Sequence, residues 1–335
     1  MQMNNFARLT LSQVCESLKA PKNTLILFHM RPDADAIGSA FALKLILEEM
    51  GSETYCICEH EIPSRLAFLT DGLQRSALLD SIDRSFEFER CISVDTASPA
   101  QLGSLFELFE DKLDFMIDHH ANGKPYADNF IKPNYAASGE IIFEIANELV
   151  ATGALDAIPE RAYGLMYAAI SSDTGCFKYS NVTEHTHLCA AEIIKQGIDT
   201  SEINYRLFDC KSEKLLAAEA AGFQNIKFYN GGKIAAVIFP FELKRKLGLL
   251  DEHLETLVDV ARSIEGVKVA LAVRQSTENK MFRVSIRSSC DVDVAAIAAL
   301  FGGGGHIKAA GCSVQADSAL HAADLVAAEI QKKLV

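Results

Sequence analysis

The run Thr24-Leu25-Ile26-Leu27-Phe28 is apolar almost throughout, the pattern of a strand covered on both faces, as in a parallel sheet. It feeds into HMRPDADAIGS, residues 29–39, where Pro32 stops the strand. Ala36 to Met50 then carries apolar residues at helical spacing up to Gly51. Strand, acidic loop, helix is the predicted unit. It recurs: Cys91-Ile92-Ser93-Val94 leads to Asp95, and Phe115-Met116-Ile117 leads to Asp118-His119-His120. Leu165 to Ile170, read as a further strand, leads to Ser171-Ser172-Asp173-Thr174-Gly175. Ser64 to Leu69 and Gly139 to Leu149 read as intervening helices. Such alternation predicts an α/β fold with a parallel sheet and helices on both faces.

Further along, Leu188 to Gln196 and Ser212 to Phe223 read as helices joined through GIDTSEI, and Phe282 to Ile286 as a strand. The apolar-periodic stretch Val294 to Phe301 runs into Gly302-Gly303-Gly304-Gly305-His306 and the small-residue run Ala309-Ala310-Gly311. A chain of 335 residues is long for one core, so two domains are expected. We read residues 1–190 as a parallel-sheet domain, 191–223 as a helical linker and 224–335 as a smaller α/β domain, with a cleft between the domains.

Composition narrows the function. With 49% hydrophobic and 23% charged residues the chain is an ordinary globular protein, which excludes extended disorder. No apolar run reaches the roughly 18 residues of a membrane span, and the N-terminal MQMNNFARLTLSQVCESL lacks a basic region followed by an apolar stretch. The expectation is an untargeted cytoplasmic protein without membrane contact. A net charge of −13 argues against coating long nucleic acid but permits a small anionic substrate, provided metal ions or a few arginines supply local positive charge. Nine scattered cysteines form no disulfide framework. Cys56-Ile57-Cys58-Glu59-His60 places three zinc-type donors on one strand face, with no fourth ligand evident nearby.

Each acidic station alone has a plain reading: Asp35 as a helix cap, Asp33 as a turn residue, the others as buried polar groups. Together they differ, because the strands of one parallel sheet bring their carboxyl ends to one edge. His29, Asp33, Asp35, Asp95, His119 and Asp173 would then converge. Crowded carboxylates raise one another's pKa unless cations neutralise them. Mixed imidazole and carboxylate suits divalent ions such as manganese, and six ligands suit two ions with a shared carboxylate. In the second half, the glycine run reads either as a flexible turn or as backbone N–H groups that approach an anion closely. His306, with Arg287 and Ser288 after the Phe282 strand, would complete such a clamp together with Gly303, Gly304 and Gly305.

HMRPDADAIGS, SVDTAS, DHH and SSDTG resemble the four metal-binding motifs of the DHH phosphoesterases, the RecJ-like superfamily. DEHLETLVDVARSIEGV, FRVSIRSS and DVDVAAIAALFGGGGHIKAAG resemble its DHH-associated C-terminal domain. The resemblance spans nearly the whole chain and points to the compact bacterial branch of nanoRNase/pAp phosphatases and cyclic di-AMP or pGpG phosphodiesterases. It implies two divalent ions, Mn²⁺ ahead of Mg²⁺ or Co²⁺. One would sit at His29, Asp33 and Asp95, the other at Asp35, Asp95, His119 and Asp173, with Asp95 bridging. His120 would lie near the scissile phosphate and Asp118 behind it. Ser172 stands where threonine is common, and His185 where arginine is frequent; neither touches an expected ligand.

The expected activity is hydrolysis of oligonucleotides of two to a few residues to mononucleotides, and of 3′-phosphoadenosine 5′-phosphate to AMP. Water would attack directly, leaving Cys91 and Cys176 as packing residues. The rivals are a cyclic di-AMP or pGpG phosphodiesterase, a manganese pyrophosphatase, against which the GGGGH segment speaks, and a non-catalytic nucleotide-binding scaffold, which would be expected to have lost ligands. A homodimer is left open.

Overall fold

The computed structural model describes residues 6–73 and 86–334, so the polar start of the chain lies outside the described residues. The chain forms two compact units that meet in sequence at Cys210/Lys211.

The first unit is built on five parallel strands, β1 (Thr24–Phe28), β2 (Thr54–Ile57), β3 (Arg90–Val94), β4 (Phe115–Asp118) and β5 (Asp128–Ile131), in the order β2-β1-β3-β4-β5. Along β1 the side chains alternate: Ile26 and Phe28 enter one apolar layer, Leu25 and Leu27 the other. This explains why the strand is hydrophobic throughout. Its helices are α1 (Leu11–Lys19), α2 (Ala34–Glu49), the short α3 (Pro99–Leu102) and α4 (Ser104–Phe109), then α5 (Ser138–Ala151), α6 (Glu160–Asp173), α7 (Glu184–Ile194) and α8 (Thr200–Asn204). The helix α2 is central: every residue from Ala34 to Lys44 is buried, because it packs on β1 and β2 and also against α5 and α6.

Several expectations are corrected. Leu165 to Ile170 is not a strand but part of α6. All six residues are buried, since α6 packs against α2 and α5, so no polar face marks the helical period. The fifth strand is instead β5, DNFI, whose polar start hides it. Ser64–Thr70 is helical as expected, in the 3₁₀ form. Cys56 and Cys58 are buried, and their thiols donate to the carbonyls of Ala40 and His60; no candidate ligand cluster among the described residues contains them. Residues 191–223 are no separate linker: α7 and α8 pack on α6, whereas α9 (Glu213–Gln224) belongs to the second unit. Among the described residues no helix is long and apolar enough to cross a membrane.

The second unit holds a mixed six-stranded sheet of β6 (Ile226–Tyr229), β7 (Ile234–Phe239), β8 (Val269–Arg274), β9 (Met281–Ser288), β10 (Gly304–His306) and β11 (Ala309–Gln315), ordered β10-β11-β9-β8-β7-β6. Only β7 and β8 are parallel neighbours. Four helices follow α9: α10 (Phe241–Lys246), α11 (Leu257–Arg262), α12 (Val294–Ala299) and α13 (Ala319–Gln331). Val269, Leu271 and Val273 of β8 face the layer that includes α12 and α13, while Ala270 and Ala272 face that of α11. Both units are therefore α/β, as expected.

The close approach of α2 and α6 depends on Gly38. A Cβ there would stand 2.5 Å from the Leu165 carbonyl oxygen and 3.1 Å from the Ala169 Cβ. Overpacking costs about 1–3 kcal/mol, against about 1 kcal/mol gained in helix propensity, so Gly38→Ala should lose up to about 2 kcal/mol. A lower denaturation midpoint at unchanged slope is the expected reading; an unchanged midpoint would show that α6 yields freely.

Candidate metal centre

The expected residues converge where the strand order reverses, beyond the carboxyl ends of β1, β3 and β4. His29 directly follows β1, Asp95 follows β3, and Asp118 closes β4 ahead of His119 and His120. Asp95 sits in the left-handed region, φ 55°, a conformation aspartate tolerates better than most residues, and its N–H donates to the Ile117 carbonyl at 2.9 Å. Asp173 is the last residue of α6.

The two aspartates of the first loop exchange their expected parts. Asp33, not Asp35, caps α2, its Oδ1 accepting from the Ala36 N–H at 3.0 Å. Asp35 lies inside the first turn and is buried. Its Oδ1 accepts from Ser39 Oγ at 2.9 Å and the Gly139 N–H at 3.0 Å, and its Oδ2 from the Ser138 N–H at 2.8 Å. The start of α5 thus holds one carboxylate, and Ser138 Oγ donates to a second, Asp95 Oδ1, at 2.9 Å. The sequence reading missed Ser138. Its signal is the Ser-Gly pair opening a helix: Gly139 has no room for a side chain, since a Cβ would meet that of Ala169 at 2.6 Å.

Two donor groups share Asp95. His29 Nε2 lies 3.7 Å from Asp33 Oδ1 and 3.5 Å from Asp95 Oδ2. His119 Nε2 lies 3.7 Å from Asp35 Oδ2, 3.6 Å from Asp95 Oδ1 and 3.4 Å from Asp173 Oδ2. The Asp95 oxygens thus face different groups. All three histidines are oriented through Nδ1: His29 toward the Met30 carbonyl at 2.9 Å, His119 toward that of Tyr135 at 3.2 Å, and His120 toward Asp118 Oδ1 at 2.6 Å. Donation from Nδ1–H leaves Nε2 as the ligating or proton-carrying atom.

Charge in the site is unbalanced. Burial pushes the Asp35 carboxyl up to about 7, with Asp95 adding repulsion. Burial and then Asp35 raise Asp173 well above the carboxylate range. Burial works against ionisation of Asp95 too, yet His29, His120 and His119 hold its carboxyl well below the usual range. Burial would lower the imidazoles, but Asp33 and Asp95 raise His29 well above its ordinary value, Asp35 and Asp95 raise His119, and Asp118 raises His120. A donor set in which some carboxyls are driven toward protonation beside others that stay ionised lacks positive charge. Divalent cations would supply it, and the oxygen and nitrogen donors fit them.

In the second unit, Arg287 of β9 pairs with Ala309 of β11, and Ala309 with His306 of β10. Arg287 and His306 therefore stand in one row of the sheet, about 10 Å apart by strand spacing. Gly304 to His306 form an edge strand rather than a loose turn. Glycine is required at Gly303, where a Cβ would meet the Gly311 carbonyl oxygen at 2.2 Å, and at Gly305, φ 138°. Ser288 is buried and its hydroxyl donates to the Cys290 carbonyl at 2.9 Å, so it shapes the turn after β9.

Residues 23–170 match the DHH family, N-terminal domain, and residues 232–332 the DHHA1 domain. The chain is 30% identical, over 87% of its length, to the bifunctional oligoribonuclease and PAP phosphatase NrnA of Bacillus subtilis, of which the match covers 90%. It is 29% identical, over 90% of its length, to the protein of the same name from Thermus thermophilus, 87% of which is covered. The crystal structure of an exopolyphosphatase-related protein from Bacteroides fragilis shares the fold, with a TM-score of 0.86, 21% identity and 95% of both chains covered.

The Asp35 shift sets a pH dependence for the metal-free protein. A folded-state pKa of about 7 lies above the ordinary aspartate value of about 3.9, so the stability this group contributes is complete below about pH 4 and lost as pH rises through about 7. After chelation, the melting-temperature advantage of Asp35→Asn over the unaltered chain should be larger at about pH 8 than at about pH 5. Equal differences would mean that Asp35 titrates normally. Saturating Mn²⁺ should raise the melting temperature of the unaltered chain more than that of the variant, since binding favours the folded state.

Proposed function

The chain belongs to the DHH family, and from that premise we propose that it is a two-metal phosphoesterase that hydrolyses very short oligonucleotides to mononucleotides and 3′-phosphoadenosine 5′-phosphate to AMP. The observation that carries this reading is Asp95, whose Oδ2 faces His29 at 3.5 Å and whose Oδ1 faces His119 at 3.6 Å. The relatives' names, oligoribonuclease and PAP phosphatase, support the substrate class.

In this reading His29, Asp33 and Asp95 hold one ion, and Asp35, Asp95, His119 and Asp173 the other, with Mn²⁺ favoured by the mixed donors. Bound divalent ions supply Lewis acidity and neutralise charge on the phosphoryl oxygens. The chain's own residues do the rest. Ser138, Ser39 and the Gly139 N–H fix the carboxylates of Asp35 and Asp95 before substrate arrives. His120 has its Nδ1–H held by Asp118, which favours the imidazolium and presents the Nε2 proton to the leaving oxygen. Cys91 is fully buried, with its thiol pushed far up by burial, and serves packing rather than attack. Arg287 and His306 bind a remote phosphate or nucleoside of the substrate, with the Gly303–Gly305 backbone beside them.

A substrate panel with Mn²⁺, comparing dinucleotides, longer RNA, cyclic dinucleotides, pyrophosphate and the adenosine bisphosphate, tests the assignment. Dinucleotides and the bisphosphate should be turned over fastest; a preference for cyclic dinucleotides or pyrophosphate would replace it. Chelation should abolish activity and Mn²⁺ should restore it better than Ca²⁺, which prefers a larger all-oxygen shell. Asp95→Ala should lose every substrate.

His120→Ala should lower kcat by about 10²–10⁴ on natural substrates and far less on an ester whose leaving group needs no proton. Equal losses on both would remove its role as acid. Arg287→Ala and His306→Ala separate binding from chemistry. A charge-assisted hydrogen bond contributes about 1.5–3 kcal/mol, so each should reduce kcat/KM on dinucleotides by about one to two orders of magnitude. A small activated phosphodiester, which gains nothing from a remote contact, should be nearly unaffected. Equal losses would reassign the GGGGH segment to the fold.

A further inference from the structure

The helices α5 and α7 bring a second ligating set together, apart from the Asp95 centre. Glu140 lies in the first turn of α5 and is fully buried. Its Oε1 accepts from the Ala136 N–H at 3.3 Å, whereas its buried Oε2 has no hydrogen-bond partner. Facing that oxygen at 3.7 Å is His185 Nε2, which also lies 3.4 Å from Cys189 Sγ. His185 and Cys189 are four residues apart on α7 and so share one face. The three donor atoms lie within 4.8 Å of one another.

A carboxylate oxygen, an imidazole nitrogen and a thiol are the donors of a zinc-type site. Zinc bonds of about 2.0–2.3 Å in tetrahedral geometry put neighbouring ligand atoms about 3.3–3.6 Å apart, so small side-chain shifts would close this set round an ion. A plain reading joins the Cys189 thiol to His185 Nε2 by a hydrogen bond and sets His185 beside Glu140; what it leaves over is the buried Glu140 Oε2, which has no hydrogen-bond partner. We propose that Glu140, His185 and Cys189 form a further metal site for one zinc-class divalent ion, with its fourth position open to the groove lined by Phe143, Glu144 and Asn147. Tyr135 separates it from the catalytic candidates: its ring lies tilted against that of His185 at 4.3 Å between centroids, and its carbonyl accepts from His119. This site does not depend on the proposed function.

The test uses the full chain loaded with Mn²⁺ and titrated with Co²⁺ as a spectroscopic substitute for zinc. Sulfur-to-cobalt charge transfer in the near ultraviolet reports a thiolate ligand, and the Asp95 centre contains no sulfur donor. The band should saturate at one Co²⁺ per chain and disappear on adding Zn²⁺. It should be lost in Cys189→Ser and His185→Ala, and kept in Asp95→Ala and in Cys210→Ser, which removes an exposed thiol. The His185 side chain is 41% exposed, so its alanine variant tests the site without emptying the core. Absence of the band in the unaltered chain, or its survival in either site variant, overturns the proposal.

Discussion

Crowding carboxylates in a place that water scarcely reaches is the constraint on which the first unit depends. Asp35 and Asp95 are almost completely buried and lie within 3.7 Å of the same imidazole nitrogen of His119. Such a group is tolerated only if donors and positive charge surround it. The fold supplies the donors from backbone N–H groups at the start of α5, the hydroxyls of Ser39 and Ser138, and three imidazoles whose other nitrogens are already committed. What the donors leave over, cations would balance.

The same constraint accounts for the packing behind the site. To bring Asp173 beside His119, α6 has to run close against α2, and to bring Ser138 to Asp35, α5 has to start against α6. Gly38 and Gly139 make both approaches achievable. Helices buried on several sides then lose their polar stripe, which is why α2 is hydrophobic almost all round.

That loss also sets the limit of what could be read from the chain. The strand ends carrying His29, Asp95 and Asp118 to His120 were legible, because a buried parallel strand has a plain pattern and a polar residue ending it stands out. Leu165 to Ile170 was misread, because a short apolar run has the same appearance in a strand and in a helix buried on all sides. The ligand candidates were legible by residue type, whereas the cap was assigned to Asp35 instead of Asp33, since one residue of helix phase separates the two. Ser138 and Tyr135 escaped because a supporting role rests on one hydroxyl or one carbonyl, which leaves no compositional trace.

Under the proposed function, an acidic chain has to confine its attraction for an anionic substrate to a few places. With a net charge of −13, the general field repels polyanions, and screening over about 8 Å at physiological salt leaves only near contacts to select a ligand. Two features would supply such contacts in different ways. At the Asp95 centre, bound ions would supply the positive charge, so affinity for phosphate would rise and fall with metal. In the second unit the Arg287 guanidinium is permanent, and its row with His306 is carried by a sheet whose edge strand is fixed by glycines that admit no larger residue. In the proposed function, the chain's own negative charge would disfavour long polyanions without a separate measuring device, and the row on β9 to β10 would orient a short one.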